Sequence, residues 1–156
     1  MEDSGEFITG SATLGVVHPP GYPLYTRIAH LFSTIPVGNV AERVDFFNHI
    51  NGALALLALA LIVWELGRSR LWSATTAAMF ALSRTFWFQA ASAEVYALNT
   101  AAFLWLFWLA LKLRQEFKAN HFFWFSLVLG LAITNHWPIL VLSTPALLVL
   151  LWPLDK

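Results

Sequence analysis

The N-terminal stretch of the chain combines two carboxylates with a histidine beside prolines, and these residue types can move protons. Asp3 and Glu6 are three residues apart, so they lie on one face if this segment is helical. Two carboxylates on one face can divide base and acid work. Pro19 and Pro20 each disfavour the helical conformation in the residue before them. We therefore expect His18 to lie on a stiff, extended corner.

Three further polar residues stand near the ends of apolar segments, and each has a functional and a structural explanation. Arg84 could bind a phosphate through two parallel N–H donors, or could extend its head to the membrane interface. Glu94 could belong to a site, or could stabilise the positive end of a helix dipole. His136, close before Pro138, could donate to a buried anion or be an ordinary interfacial residue.

Composition identifies the class of protein that must position these residues. The chain has 156 residues, of which 58% are hydrophobic and 12% are charged, whereas soluble domains are about 25% charged. This favours a membrane protein. Nine basic and nine acidic residues balance to zero net charge, so nothing suggests a nucleic-acid partner. The chain has no cysteine, its histidines lack close ligand spacing, and no glycine-rich loop suits a phosphate. We therefore expect neither a metal site nor a cofactor.

The apolar pattern predicts an all-α polytopic protein with two regions. Residues 1–45 form an external loop, in which apolar residues from Leu24 to Ile35 recur at helical spacing until Pro36. We expect a short amphipathic helix there, lying along the membrane surface. Residues 46–156 form the transmembrane region, with about five spans at roughly 46–66, 71–88, 94–113, 122–135 and 137–152. The fourth is shorter than the usual about 17 to 25 residues, so its polar end could lie below the surface.

Loop charge predicts the orientation. We call residues 1–45 the head loop, or head. If the head loop is outside, the external basic residues are Arg27, Arg43 and Arg84, and the internal ones are Arg68, Arg70, Lys112, Arg114, Lys118 and Lys156. The acidic residues are Glu2, Asp3, Glu6, Glu42, Asp45 and Glu94 outside, and Glu65, Glu116 and Asp155 inside. Basic residues concentrate on the cytoplasmic side of membrane proteins. The six candidate residues described above therefore lie on or near the external face.

Several motifs in order carry a resemblance to a known family, and it covers nearly the whole chain. They are DSGEF at 3–7, LGVVHPPGYPL at 14–24, GNV at 38–40, RV at 43–44, SRTFW at 83–87, AEVYALN at 93–99 and TNH at 134–136. These segments resemble a family of polytopic membrane proteins related to the protein O-mannosyltransferases, within the GT-C glycosyltransferases. Such enzymes take a sugar from a polyprenyl-phosphate carrier at the outer or lumenal membrane face.

The resemblance implies roles for the candidate residues. Asp3, or else Glu6, would remove a proton from an acceptor hydroxyl, possibly on a protein, as the mannose-like sugar leaves its lipid phosphate. His18 would shape the loop or touch the acceptor. The motif containing Glu94 favours its inclusion among the substrate-binding residues. Classical O-mannosyltransferases have adjacent Asp and Glu, whereas two residues separate the pair here, so the identity of the base stays open.

The remaining implied roles concern the donor and the setting. Arg84 and His136 would stabilise the lipid phosphate, in the bacterial inner membrane or, in a eukaryote, the endoplasmic reticulum membrane. Family members place a span before the acidic loop, whereas this chain starts directly on it. We therefore expect a fragment that is inactive alone. The competing class is a non-catalytic membrane protein, either a carrier-lipid transporter or a scaffold subunit, because intramembrane carboxylates also serve transport.

Overall fold

The computed structural model describes residues 3–152, and all regular elements in that part are helices. They are α1 (Ser4–Thr13), α2 (Pro23–Ser33), α3 (Val40–Gly67), α4 (Arg70–Ala81), α5 (Arg84–Ala90), α6 (Val95–Gln115) and α7 (Ala119–Leu151). The predicted all-α class is therefore confirmed. Glu2, Asp155 and Lys156, which entered the charge count, lie outside the described residues.

The predicted amphipathic helix is present as α2. Pro23 begins it, as expected of a residue with a fixed φ and no amide hydrogen. Its protein-facing side carries Tyr25 and Ala29, which are fully buried. Leu31, part of the predicted apolar stripe, is 65% exposed. The location of α2 along a membrane surface stays a prediction.

The N-terminal helices pack on the transmembrane helices rather than forming a detached loop. Phe7, Tyr22 and Tyr25 share one buried cluster with Val44 of α3 and Val95 of α6. Aromatic side chains bury a large apolar area, so they contribute more to the stability of a core than most other side chains. This packing holds the head at one end of the helical bundle.

α3 begins six residues before the predicted first span. Asn39 accepts a hydrogen bond from the Glu42 backbone N–H, and the Glu42 carboxylate accepts one from the Asn39 N–H, each at 3.0 Å. This reciprocal arrangement is a capping box and fixes the start of the helix. Its 28 residues span about 42 Å, more than the about 30 Å of a hydrocarbon core. Some turns of α3 therefore extend beyond the membrane.

The predicted second span, 71–88, is two helices. α4 ends at Ala81, and Ser83 then caps α5 by accepting a hydrogen bond from the Phe86 N–H at 3.3 Å. Gly52 of α3 has no side chain, which lets Ala90 of α5 approach closely. At 12 residues, α4 is about 18 Å long and does not cross a bilayer as one helix.

The predicted fourth and fifth spans correspond to two helical stretches of α7 that meet at a kink. Its 33 residues are helical except at His136, whose φ of −144° and ψ of 79° kink the chain. Pro138 follows two residues later and has no N–H to continue the helical hydrogen bonds across this point. Among the described residues, α3, α6 and α7 are the helices long and apolar enough to cross a membrane. The total of five spans stays a prediction.

Side-chain contacts at the far end of the bundle join the end of α3 to the end of α6. The buried Glu65 carboxylate lies 3.2 Å from Lys112 Nζ and 3.3 Å from Arg68. α3 and α6 therefore end at matching levels. The head lies at the opposite end, as the loop-charge argument requires.

Candidate functional site at the head of the bundle

Glu6 and His18 form a two-point hydrogen-bonded pair. The His18 backbone N–H donates to Glu6 Oε1 at 2.6 Å, and Nδ1 of the ring lies 2.9 Å from Oε2. α1 presents Glu6, and the extended segment before Pro19 returns His18 to it. The carboxylate therefore fixes the ring so that Nε2 points away from it.

The pair shifts the proton affinity of both partners. The hydrogen bonds from His18 lower the pKa of Glu6 below its ordinary value. The same side-chain hydrogen bond raises the pKa of His18. Both groups are partly exposed to solvent. His18 therefore holds its proton to higher pH than a free histidine, while Glu6 is a weaker base than a free carboxylate.

Asp3 completes the cluster. It immediately precedes α1, and Glu6 lies one turn along, so the two carboxylates share a face as the spacing predicted. Oxygen and nitrogen atoms of Asp3, Glu6 and His18 lie within 4.8 Å of one another. Groups this close could share a cation, which the sequence did not indicate; exposed carboxylates often gather without one, so we assign no metal here.

Glu94 joins the head from the start of α6. Ser4 Oγ donates to its carboxylate at 3.2 Å. Burial raises the pKa of Glu94, and the nearby Asp3 charge adds to this, against the Ser4 hydrogen bond. Its side chain accepts no helix-capping hydrogen bond. The contact with α1 makes it a neighbour of the cluster.

Asn48 of α3 holds the segment that carries Glu94. Its Nδ2 donates to the backbone carbonyls of Ser92 and, at 3.0 Å, Glu94. Asn48 is completely buried. Its amide therefore cross-links α3 to the segment before α6 and is not a solvated group.

Tyr22 places the head against the kink of α7. Its ring centroid lies 5.4 Å from that of His18 and 5.9 Å from that of His136, parallel to the latter. The Tyr22 hydroxyl is 3.5 Å from His18 Nε2, a long contact. Burial raises the pKa of Tyr22, so the hydroxyl stays a donor. Tyr22 thus contacts both imidazole rings.

The sequence motif containing Tyr22 was recognised, but no role was predicted for this residue. Its backbone is in the left-handed region, with φ of 42° and ψ of 55°, which costs a residue with a side chain about 1–2 kcal/mol. Such conformations persist where surrounding contacts require them, commonly at functional sites. In the sequence, the signal for this unusual backbone conformation is the position of the tyrosine between Gly21 and Pro23.

Arg84 is the candidate that the structure does not bring into the cluster. It is exposed at the start of α5. Within residues 3–152 it makes no hydrogen bond or ion pair with Glu6, His18 or Glu94. The structure therefore gathers Asp3, Glu6, His18, Glu94 and His136 around Tyr22 and leaves Arg84 aside.

These features define the class: an integral membrane protein of helices with a carboxylate–histidine cluster at one end of the bundle. A family model described as the Protein O-mannosyl-transferase TMEM260 N-terminal domain matches residues 3–155, and the chain belongs to this family. The resemblance expected from the motifs is thereby confirmed.

Two curated relatives are similar to parts of the chain. The chain is 44% identical over 98 residues to the mouse Protein O-mannosyl-transferase TMEM260, covering 62% of this chain and 14% of the relative. It is 30% identical over 132 residues to the Dictyostelium discoideum Protein O-mannosyl-transferase tmem260, covering 80% and 16%. The chain thus spans a small part of these relatives. No solved structure matches it.

Proposed function

We propose that this chain is the N-terminal part of a membrane glycosyltransferase. It would transfer a mannose-like sugar from a polyprenyl-phosphate carrier to a hydroxyl group, on serine or threonine of a protein. The names of the two relatives support the sugar and the protein acceptor. The reaction would take place at the external face of a bacterial inner membrane, or at the lumenal face of the endoplasmic reticulum membrane in a eukaryote. The chain alone would be inactive.

The observation that carries the proposal is the Asp3–Glu6–His18 cluster, in which the Glu6 carboxylate is hydrogen-bonded to His18. Two hydrogen bonds from His18 occupy the Glu6 carboxylate and lower its pKa. A general base is most effective when its lone pair is free and its pKa is near the working pH. Asp3 is therefore the better candidate for the base, and Glu6 would position His18.

The size of the cluster suggests which side of the sugar it serves. In inverting glycosidases the acid and base act on opposite faces and lie about 6.5–9.5 Å apart. Asp3, Glu6 and His18 lie within 4.8 Å of one another, so they would act together on the acceptor side. The acceptor oxygen would bond to the anomeric carbon, its proton would pass to Asp3, and the carbon–oxygen bond to phosphate would break.

The departing phosphate then needs partners away from this cluster. His136, whose ring stacks on Tyr22, is proposed as one of these partners. Arg84 is proposed as a second phosphate contact, because an exposed guanidinium can bind a phosphate through two parallel hydrogen bonds. Glu94, hydrogen-bonded to Ser4, would bind the sugar or the acceptor hydroxyl.

The test uses a full-length family member carrying this chain as its N-terminal domain. Single-turnover transfer from mannosyl-phosphoryl polyprenol to a serine-containing peptide would be measured for Asp3→Asn, with Glu116→Gln at the other end of the bundle as control. We expect a loss of about 10²- to 10⁴-fold for Asp3→Asn and none for the control. Unchanged transfer by Asp3→Asn would refute its role as base. Movement of the lipid across the membrane without sugar transfer would instead favour a carrier-lipid transporter.

A further inference from the structure

A shallow groove lies on the surface where the segment between α2 and α3 meets the first turns of α3. It has a volume of about 370 Å³, and Ile35, Val37 and Phe46 form its apolar walls. Val37 is 71% exposed and Phe46 is 55% exposed, so the groove is open to its surroundings. Glu42 and Arg43 line it as well. The groove therefore combines apolar walls with one acidic and one basic side chain.

The charges of α3 place this groove at the level of the lipid headgroups. The stretch between Asp45 and Glu65 contains no Asp, Glu, Lys or Arg. At 1.5 Å per residue it is about 30 Å long, which matches the hydrocarbon core of a bilayer. With this stretch in the hydrocarbon core, Phe46 lies at its edge. Glu42 and Arg43 then lie one turn further out, among the headgroups.

The groove also continues an exposed apolar face of α3, which is long and apolar enough to cross a membrane. Leu57, which is 49% exposed, follows Phe46 by three helical turns, so the two side chains share that face. Arg43 and Glu42 precede Phe46 by three and four residues, which places them on the same side of the helix. A lipid chain that lies along this face has its head at Glu42 and Arg43.

Arg43 keeps donors for a phosphate although it already holds the loop. Nε donates to the Val37 carbonyl at 2.8 Å, Nη2 donates to the Gly38 carbonyl at 2.9 Å, and Nη1 donates to the Ser33 carbonyl. A guanidinium has five N–H donors, so one remains on each terminal nitrogen. Two such donors can bind a phosphate in parallel. The three carbonyl bonds hold the guanidinium in place for this.

Glu42 adds the opposite charge beside the guanidinium. Its carboxylate accepts the Asn39 N–H at 3.0 Å in the capping box, and its side chain is exposed. A carboxylate next to the guanidinium repels a head that carries only negative charge and attracts an ammonium group. A zwitterionic phospholipid has a phosphate and an ammonium a few bonds apart. Its head therefore matches both charges, and its acyl chains match the apolar walls.

We propose that this groove binds a zwitterionic phospholipid, with its phosphate at Arg43 and its ammonium at Glu42. The start of one acyl chain lies against Ile35, Val37 and Phe46. The lipid thereby holds the segment between α2 and α3, and with it the end of α2, to the membrane. This site does not depend on the proposed sugar transfer.

The experiment is photolabelling of a full-length family member in phosphatidylcholine nanodiscs. The three probes are phosphatidylethanolamine, phosphatidylcholine and phosphatidylglycerol, each with a diazirine near the start of one acyl chain. The ammonium of phosphatidylethanolamine can donate hydrogen bonds to Glu42, whereas a quaternary ammonium cannot. We expect phosphatidylethanolamine to label the peptide containing residues 35–46 about threefold more than either other probe, within the range of an exposed ion pair. The exposed apolar residues of α4 provide an internal control and should be labelled equally by all three.

Glu42→Gln separates the charge from the fold. Glutamine keeps an oxygen that accepts the Asn39 N–H, so the start of α3 is retained. In this variant phosphatidylethanolamine and phosphatidylcholine should label the peptide equally. Glu116→Gln, which removes a carboxylate at the far end of the bundle, is the matched control and should keep the threefold preference.

Val37→Ser tests the apolar walls. It should lower labelling of the same peptide by all three probes about twofold, because less apolar area holds the acyl chain. Val16→Ser is the matched control, because Val16 is also an exposed valine of the head, at 94%, and does not line the groove. It should leave the labelling unchanged.

Three results would overturn the proposal. The first is equal labelling by phosphatidylethanolamine and phosphatidylcholine in the parent, or a preference that persists in Glu42→Gln. The second is strongest labelling by phosphatidylglycerol, which would show that Arg43 alone selects the head. The third is labelling weaker than that of α4 with every probe, which would show that another protein segment covers the groove. Each of these results leaves the proposed role of Asp3 intact, and full transfer by Asp3→Asn would leave the lipid site intact.

Discussion

Asn48 offers a direct test of how the head site is held in place. Its buried amide is hydrogen-bonded to two backbone carbonyls just before α6, those of Ser92 and Glu94. Asn48→Ala would leave both carbonyls without this donor inside the protein. A buried group left unpaired costs about 1–3 kcal/mol, and the truncated side chain adds a cavity. We expect the free energy of unfolding to fall by about 2–4 kcal/mol.

A matched control is available one turn further along the same helix. Asn51 is 3% exposed, but its Nδ2 donates to the Phe47 carbonyl within α3. Asn51→Ala therefore removes the same atoms at similar burial without breaking a link between helices. It measures the loss of volume and of an intrahelical bond, so the difference between the two variants reports the cross-link to the segment before α6.

The assay combines thermal unfolding in detergent with amide hydrogen exchange. At this chain length, 1 kcal/mol corresponds to about 2–4 °C in the melting temperature. We expect a larger fall for Asn48→Ala than for Asn51→Ala, with faster exchange at Glu94 and Val95 in the former alone. Equal falls and unchanged exchange at these two residues would refute the conclusion that Asn48 positions Glu94.

Four further predictions concern the head, its orientation and the phosphate contact. Glu6→Gln should lower the pKa of His18 toward its ordinary value, because the Glu6 hydrogen bond is the main cause of the increase; an unchanged NMR titration would contradict this. In the parent the pair should stabilise the head below the raised His18 pKa, and this stability should be lost as the pH rises through it, or falls through the lowered Glu6 pKa. Ser69→Cys introduces the one thiol into a chain without cysteine, and this thiol should react only with reagents that enter the cytoplasm. If an impermeant reagent labels it in intact cells, the orientation is the reverse of the predicted one. Arg84→Lys should raise the KM for the lipid donor more than it lowers kcat, because a point charge replaces a two-pronged donor, whereas Arg27→Lys should change neither; equal KM values would exclude Arg84 from the phosphate site.

The sequence predicted the class of protein and most of the residues that the structure gathers in the candidate site, because these depend on local patterns. Hydropathy identified a membrane protein, and helical spacing placed Asp3 and Glu6 on one face. Loop charge and span order brought Glu94 and His136 to the same end as the head. The family motifs were specific enough to identify the family that the family model confirms.

The details that were not predicted depend on contacts between distant segments. The two-point bond between Glu6 and His18 forms only because the chain turns back after α1. The role of Tyr22 depends on the kink in α7, more than a hundred residues away. The division of the predicted second span into α4 and α5 did have a local signal, because serine is a preferred N-cap. Ser83 lies in a continuous apolar run, however, and hydropathy alone indicates one helix there.

The measurement that tests the central claim most directly is sugar transfer by the double variant Asp3→Asn, Glu6→Gln in the full-length protein. Both substitutions keep the size of the side chain, and Asp3 and Glu6 are exposed, so the protein should still insert and fold. Circular dichroism and detergent-stable expression equal to the parent would verify this. We predict a loss of transfer of at least about 10²-fold. Transfer at the parental rate would show that the head cluster is not the catalytic centre.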